Sequence, residues 1–438
     1  MKTLVAIAIS LVVASAAPAQ DGLELEPALA RRRALLDEAA ALSMEHGGLS
    51  FLVQHRGEVV HERYAARRDA DDAWFLASGT KSFCGVAAVC MVEDGLLESL
   101  DERVADTITE WQDDARKSRI TVRQLLSLVS GIDTAAGELD GPKYDDKYAV
   151  ALQRPTFAEP GAKFRYGPAP FYVFGELMFR KLRPADGSAG ENPLQYMRRR
   201  FLDPIGIRIA DWRHDRAGHP QLPSGAKLTA REWAKFGEFI RDRGRVGERQ
   251  IVDAQRLDEC FVPTDANRRY GLTFWLPRAG VVQAAGAGGQ RLVIVRDHDL
   301  VIVRQATENL GRDEQRVLDL VLEAFGVDLP DFGDPTLERG SGLGSLFDRA
   351  DTNGDDKLTA DELPESRGPR MRRLLQKLDL DGDGAWTREE LAPLRDLLLI
   401  PQDPVDDEDA PQAPPTDPPA ESPAGPHELP GTGGSREM

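Results

Sequence analysis

The alternation of apolar and polar positions predicts strands at both ends of a large domain, with helices between them. A charged, helix-periodic lead from Ala28 to His46 precedes Leu49–His55, which reads as a strand. Arg56-Gly57-Glu58 reads as a turn and Val59–Tyr64 as the return strand of a hairpin. Phe83–Val92 is apolar nearly all round, and a helix without a polar stripe belongs at the centre of a domain. Ile120–Ser130 is an amphipathic helix opened by Thr121 and closed at Gly131. After the Pro160-Gly161 turn, Lys163–Tyr166 reads as a short strand and Pro170–Lys181 as a helix. Thr229-Ala-Arg-Glu232 is a capping box that opens a helix to about Arg241. Strand-like runs follow at Leu272–Leu276, Val281–Ala284, Arg291–Arg296 and Leu300–Gln305, then a last helix at Glu314–Phe325. This order predicts a mixed α/β (α+β) domain over residues 24–328.

The ends of the chain have a different character. Met1-Lys2, an apolar run from Thr3 to Ala14 and Ala17-Pro18-Ala19 have the layout of a secretory signal peptide over residues 1–19. That run is too short for a membrane helix, and no later stretch approaches one. The expectation is an exported protein, periplasmic or secreted. Residues 329–343 read as a linker. Residues 399–438, rich in proline and acid and nearly devoid of large hydrophobes, read as a disordered tail. The net charge is −18, and most of the surplus lies beyond residue 340. An acidic chain lacks the basic face that nucleic acid needs, so the expected partners are a small molecule and a cation. Three cysteines, Cys84, Cys90 and Cys260, fit buried small hydrophobes better than a disulfide framework.

The cation signal is specific. Asp379, Asp381, Asp383, Gly384, Trp386 and Glu390 fit the 12-residue calcium loop of an EF-hand, with the Ala385 carbonyl as a further ligand. An earlier loop offers Asp351, Asn353, Asp355, the Lys357 carbonyl and Glu362, with Asp356 at the glycine position. The two loops resemble an EF-hand pair over residues 344–398, a small all-α domain binding calcium.

A serine hydroxyl needs a nearby base before it attacks a carbonyl at neutral pH. Ser-x-x-Lys places a hydroxyl and an amine one turn apart. It occurs at Ser78–Lys81, at the mouth of the apolar helix, and at Ser224–Lys227, in a loop where it reads as accidental. No G-x-S-x-G elbow is present, and His55, His61, His214 and His298 read as surface or satisfied polar residues.

Ala77-Ser78-Gly79-Thr80-Lys81-Ser82-Phe83, Leu100-Asp101-Glu102, Arg119-Ile120-Thr121-Val122-Arg123-Gln124-Leu125-Leu126 and Ser130-Gly131 together resemble the serine β-lactamase and penicillin-binding-protein superfamily. The nearest branch is that of class C-like esterases and 6-aminohexanoate-dimer hydrolases. The resemblance runs from about residue 30 to 325. It implies an antiparallel sheet flanked by helices beside a helical lobe, with Ser78 as nucleophile and Lys81 as its base. It assigns Tyr166, in Phe164-Arg165-Tyr166-Gly167-Pro168, to the family's Tyr-x-Asn element, with Pro168 where asparagine is usual. It assigns Ala284-Ala285-Gly286, followed by Ala287-Gly288-Gly289-Gln290, to the strand that carries Lys-Thr-Gly or His-x-Gly. Ala284 replaces the basic residue, which weighs against a β-lactam substrate. The implied oxyanion hole is the N–H of Ser78 and of Ala287, with Gly286, Gly288 and Gly289 lining the substrate. Two functions remain open: an ester or amide hydrolase that needs no cofactor for acyl transfer, or a catalytically degenerate fold serving as a calcium-dependent extracytoplasmic scaffold.

Overall fold

The computed structural model describes residues 21–329 apart from 140, 185 and 187–189, together with two short strands, Leu358–Thr359 and Ala385–Trp386. The signal-peptide, linker and tail assignments fall outside the described residues, residue 329 excepted. So do the loop ligands Asp351, Asn353, Asp355, Lys357, Glu362, Asp379, Asp381, Asp383 and Glu390.

Helix α1 (Asp21–Glu45) leads into the hairpin β1 (Gly48–His55) and β2 (Glu58–Tyr64), as the periodicity predicts. A short β3 (Ala73–Phe75) precedes the central helix α2 (Ser82–Glu93). The helical lobe holds α3 (Val122–Leu126), α4 (Lys147–Leu152), α5 (Ala169–Lys181), α6 (Pro193–Met197) and the single turn α7 (Asp203–Ile205). Strands β4 (Asp211–Trp212) and β5 (Ala226–Thr229) return the chain to α8 (Ala230–Arg241). The small hairpin β6 (Arg245–Val246) and β7 (Arg249–Gln250) and helix α9 (Ala254–Asp258) follow. Then come β8 (Val281–Gly286), β9 (Gln290–Val295), β10 (Leu300–Ala306) and α10 (Asp313–Ala324).

The main sheet is antiparallel in the order β2-β1-β10-β9-β8, so the first and last strands of the domain pair with each other. Alternate residues serve opposite faces. Phe51 and Val53 join α1 and α10 in one apolar layer with Leu36, Leu320 and Val321. Leu52, Leu292 and Val301 face the other way, into the core shared by α2 and α8. Glycine at 237 lets α8 lie close on the sheet, because a Cβ there would stand 2.5 Å from Val301 Cγ1. All residues of α2 from Ser82 to Met91 are buried, as expected for a helix apolar all round.

Three segments depart from the pattern reading. The predicted helix 120–130 stops at Leu126, because Leu128 takes a positive φ of 61° and turns the chain. Its Thr121–Gln124 capping box forms as expected. Lys163–Tyr166 forms no strand; Arg165 N–H instead donates to the Leu128 carbonyl at 2.9 Å. Leu272–Leu276 makes only isolated bridges, because Thr273 at φ +73° kinks it behind α2.

In the C-terminal segment, β11 (Leu358–Thr359) and β12 (Ala385–Trp386) pair antiparallel, with Leu358 opposite Trp386 and Thr359 opposite Ala385.

Candidate active site

Ser78 owes its position to a reversal of the backbone. Strand β3 pairs with β5, and beyond it Leu76 N–H donates to the Ala226 carbonyl at 2.9 Å. Ala77 then takes a φ of +46°. A side chain disfavours that left-handed region by about 1–2 kcal/mol, so the flanking contacts must hold it there. Residues Ala77–Lys81 coil as a 3-10 turn before α2 begins at Ser82. Ser78 therefore does not open the long helix itself, as its sequence suggested, but a tighter turn in front of it. In such a turn side chains three apart eclipse, which stacks Ser78 against Lys81.

Lys81 is 3 % exposed. Its Nζ donates to Ser78 Oγ at 2.9 Å and to the Pro223 carbonyl at 3.1 Å. Two aromatic faces complete its surroundings, with the Tyr166 and Phe171 ring centroids at 5.0 and 5.3 Å. Without its extra proton, the same amine directs a lone pair at the serine hydroxyl, the geometry a general base requires. Cys84 lies beside it, but burial pushes this thiol well up, against a smaller opposing pull from Lys81. All three cysteines are buried and unpaired, and none is poised as a nucleophile.

Tyr166 reaches the lysine from the helical lobe. Its carbonyl accepts from Thr134 Oγ1 at 3.0 Å, and Ala169 N–H donates to the Thr134 carbonyl. Pro168 caps α5, a place where a missing N–H costs nothing. Among the described residues no side-chain amide bonds to Lys81; the face of Phe171 lies beside it. The Tyr166 ring stacks on Trp275 at 5.5 Å and 28°, and stands edge-on to Tyr270 at 6.3 Å and 89°.

Strand β8 closes the site from the sheet side. Ala284 is buried in the core. At Gly286 a Cβ would lie 2.1 Å from the Leu76 carbonyl oxygen and 3.0 Å from Gly79 N, so only glycine lets the strand end abut the Ser78 turn. Ala287 follows it, exposed. Gly288 and Gly289, at φ +72° and +78°, form the bend after Ala287. Gln290 Nε2 clamps that bend by donating to the Ala287 and Gly288 carbonyls at 3.2 and 3.1 Å. Gly289 is packed against Arg304, whose Nη1 would lie 2.0 Å from an added Cβ.

Arg304 is buried and donates to the carbonyls of Gly289, Glu308 and His46 and to Ser43 Oγ. Burial, with a smaller contribution from nearby Arg291, brings its pKa down to about 10. Pro223, Phe171, Trp275 and Arg304 were not signalled by any motif. Pro223 belongs to the Leu222–Gly225 loop, set aside because its Ser-x-x-Lys reads as accidental. Ser224 indeed stays in that loop while Lys227 lies in β5. Crevices of about 510 and 680 Å3 open elsewhere, beside Trp111 and Arg180 and beside Arg31 and Phe325, and Ser78 lines neither.

Several solved structures share this fold. A protein assigned as a 6-aminohexanoate-dimer hydrolase from Bacillus anthracis aligns with a TM-score of 0.55 at 18% identity, over 66% of this chain and 82% of that one. EstCE1, a hydrolase with promiscuous acyltransferase activity, aligns with a TM-score of 0.54 at 17% identity, over 69% and 99%. A penicillin-binding protein homolog from Caulobacter crescentus aligns with a TM-score of 0.52 at 17% identity, over 68% and 97%. No curated protein matches the chain. Residues 36–325 match the family model described as Beta-lactamase, which spans the sheet, the helical lobe and the Ser78 turn: the chain belongs to the Beta-lactamase family, whose members are typically serine hydrolases.

Proposed function

We propose that this protein is an exported serine hydrolase that cleaves esters or small amides through an acyl-enzyme on Ser78. The observation that carries the reading is the 2.9 Å contact between Lys81 Nζ and Ser78 Oγ, made by a lysine only 3 % exposed. Ser78 Oγ attacks the carbonyl carbon while Lys81 takes the hydroxyl proton. The N–H groups of Ser78 and Ala287 receive the developing oxyanion, an interaction of about 3 kcal/mol per donor. Tyr166 gives a proton to the departing oxygen or nitrogen. Water then attacks the acyl-enzyme and gives its proton to Tyr166, and Ser78 Oγ departs with the proton held by Lys81, which restores all three groups. Gly286 lets the strand end abut the Ser78 turn, and Gly288 and Gly289 make the bend that would present the Ala287 N–H to the substrate. Ala284 offers no cation to a substrate carboxylate, which argues against β-lactams.

Intact-mass spectrometry after exposure to a fluorophosphonate tests this reading. One adduct located on Ser78, and none in Ser78→Ala, is the expected result. A folded wild-type protein that never labels favours the scaffold alternative, to which Pro168 and Ala284 lend weight.

Calcium binding belongs to the same reading. The carboxylates of Asp379, Asp381, Asp383 and Glu390 with the Ala385 carbonyl would hold one ion, and those of Asp351, Asp355 and Glu362 with Asn353 and the Lys357 carbonyl another. The pairing of Leu358 with Trp386 supports it, because each is the eighth residue of its 12-residue loop. Calorimetric titration should show at least one site, lost in Glu390→Gln; heat unchanged by that substitution would contradict it.

A further inference from the structure

The aromatic side chains around Tyr166 form a surface that acyl transfer itself does not require. Trp275 is half-buried, with one face stacked on the Tyr166 ring. Its edge contacts are with Tyr270, at 4.9 Å and 81°, and Phe164, at 6.2 Å and 66°. Phe164 packs in turn on Tyr270 at 5.3 Å. Tyr270 is buried, and burial, with Tyr166 as a smaller contribution, holds its hydroxyl well above the usual phenol range. It is the floor of the cluster. Phe164, Tyr166 and Trp275 are its partly exposed members.

Backbone contacts tie this cluster to the reacting centre. Trp275 N–H donates to the Gln283 carbonyl at 2.8 Å, and Gln283 N–H returns the bond at 2.9 Å. Trp275 is thereby an extra rung beside β8, the strand whose end abuts the Ser78 turn. With Phe164 and Tyr166, Trp275 packs against the core that also holds Ala284. The indole is fixed between the proton donor and the strand of the oxyanion donor. The kink that sets it there is strained: Thr273, β-branched, sits at φ +73°, with its Oγ1 against α2 at Gly85. Strain of this kind persists where the surroundings over-determine it, and it clusters at sites that bind.

We infer that Trp275, with Phe164, forms an aromatic subsite for the leaving group, selecting esters whose departing alcohol carries a flat apolar ring. The inference rests on the acyl-transfer reading above. The atom that accepts the Tyr166 proton is the leaving oxygen, and its substituent lies within reach of the indole that covers Tyr166. An aromatic substituent gains there from ring–ring contact and from the apolar area it loses to water. A short alkyl substituent gains little.

The test compares 2-naphthyl acetate with ethyl acetate in the wild-type protein, Trp275→Ala and Trp275→Phe. Each substrate is scored as kcat/KM relative to wild type. In Trp275→Ala the loss for the naphthyl ester should exceed that for the ethyl ester by about tenfold, carried mainly by KM. Trp275→Phe should recover most of the difference. An equal loss for both esters would mean that Trp275 only supports Tyr166, and would overturn the inference. No change in either ester would overturn it too. Fluorophosphonate labelling separates this failure from that of the underlying reading: a wild-type protein that labels on Ser78 but shows no Trp275-dependent preference refutes the subsite alone.

Discussion

Lys81 is held by one carbonyl, one hydroxyl and two aromatic faces, an environment with no carboxylate among its named contacts. Replacing it with methionine keeps the apolar stem, one atom shorter, and removes the amine. Lys81→Met should lower kcat/KM on an activated ester by about 10²–10⁴-fold, the range for loss of a general base, with circular dichroism unchanged. The Ser78–Lys81 pair was legible in the sequence because its spacing and the apolar helix behind it carry the signal. Pro223 was not, because a backbone carbonyl leaves no trace in residue type. Arg304 was hidden for another reason. Within Val-Ile-Val-Arg-Gln it reads as the polar side of a strand, whereas it is buried and satisfied by carbonyls from distant loops.

At the scale of elements, β8 and the Ala77–Lys81 turn form the joint on which the site depends. Gly286→Val would place a branched side chain where the Leu76 carbonyl lies 2.1 Å from even a Cβ. The strand end must withdraw from Ser78, and the variant should label with fluorophosphonate far more slowly than wild type. Overpacking of this kind costs about 1–3 kcal/mol, so most of the chain should still fold. Labelling at the wild-type rate would show that the joint does not matter. Most of the strands and helices followed from period and capping: the β1–β2 hairpin, α2, α5, α8 and the β9–β10 pair lie within a few residues of their predicted bounds. Two of the three misses share a cause. Leu128 and Thr273 adopt positive φ without being glycine, so no residue type announced the turns that end a helix and kink a strand.

On the scale of the whole molecule, acidic side chains paired across elements make the domain sensitive to acid. Arg231 holds the Glu62 carboxyl below its ordinary range, and Arg180 does the same to Glu110. Burial pushes Glu314 up, but its bonds to Arg291 outweigh that and leave it low. Carboxyls that are depressed in the folded state stabilise it above their unfolded pKa of about 4.3 and stop doing so as pH falls through the lower folded values. Tm should therefore hold steady through neutral pH and fall below about pH 4, each exposed pair contributing about 1 kcal/mol or less. A Tm that rises on acidification would reverse this sign. At the same scale, fold and family were legible because the motifs that carry them are spread from the Ser78 turn to the glycine bend after β8.

The most direct test of the central claim is to trap the acyl-enzyme. Rapid acid quench of the protein with an activated ester, followed by peptide mass spectrometry, locates the acyl group and times its arrival. Acylation should fall on the peptide containing Ser78, at that residue, with the rate greatly reduced in Lys81→Met. Acylation at another residue, or on Ser78 at an unchanged rate without Lys81, would contradict it.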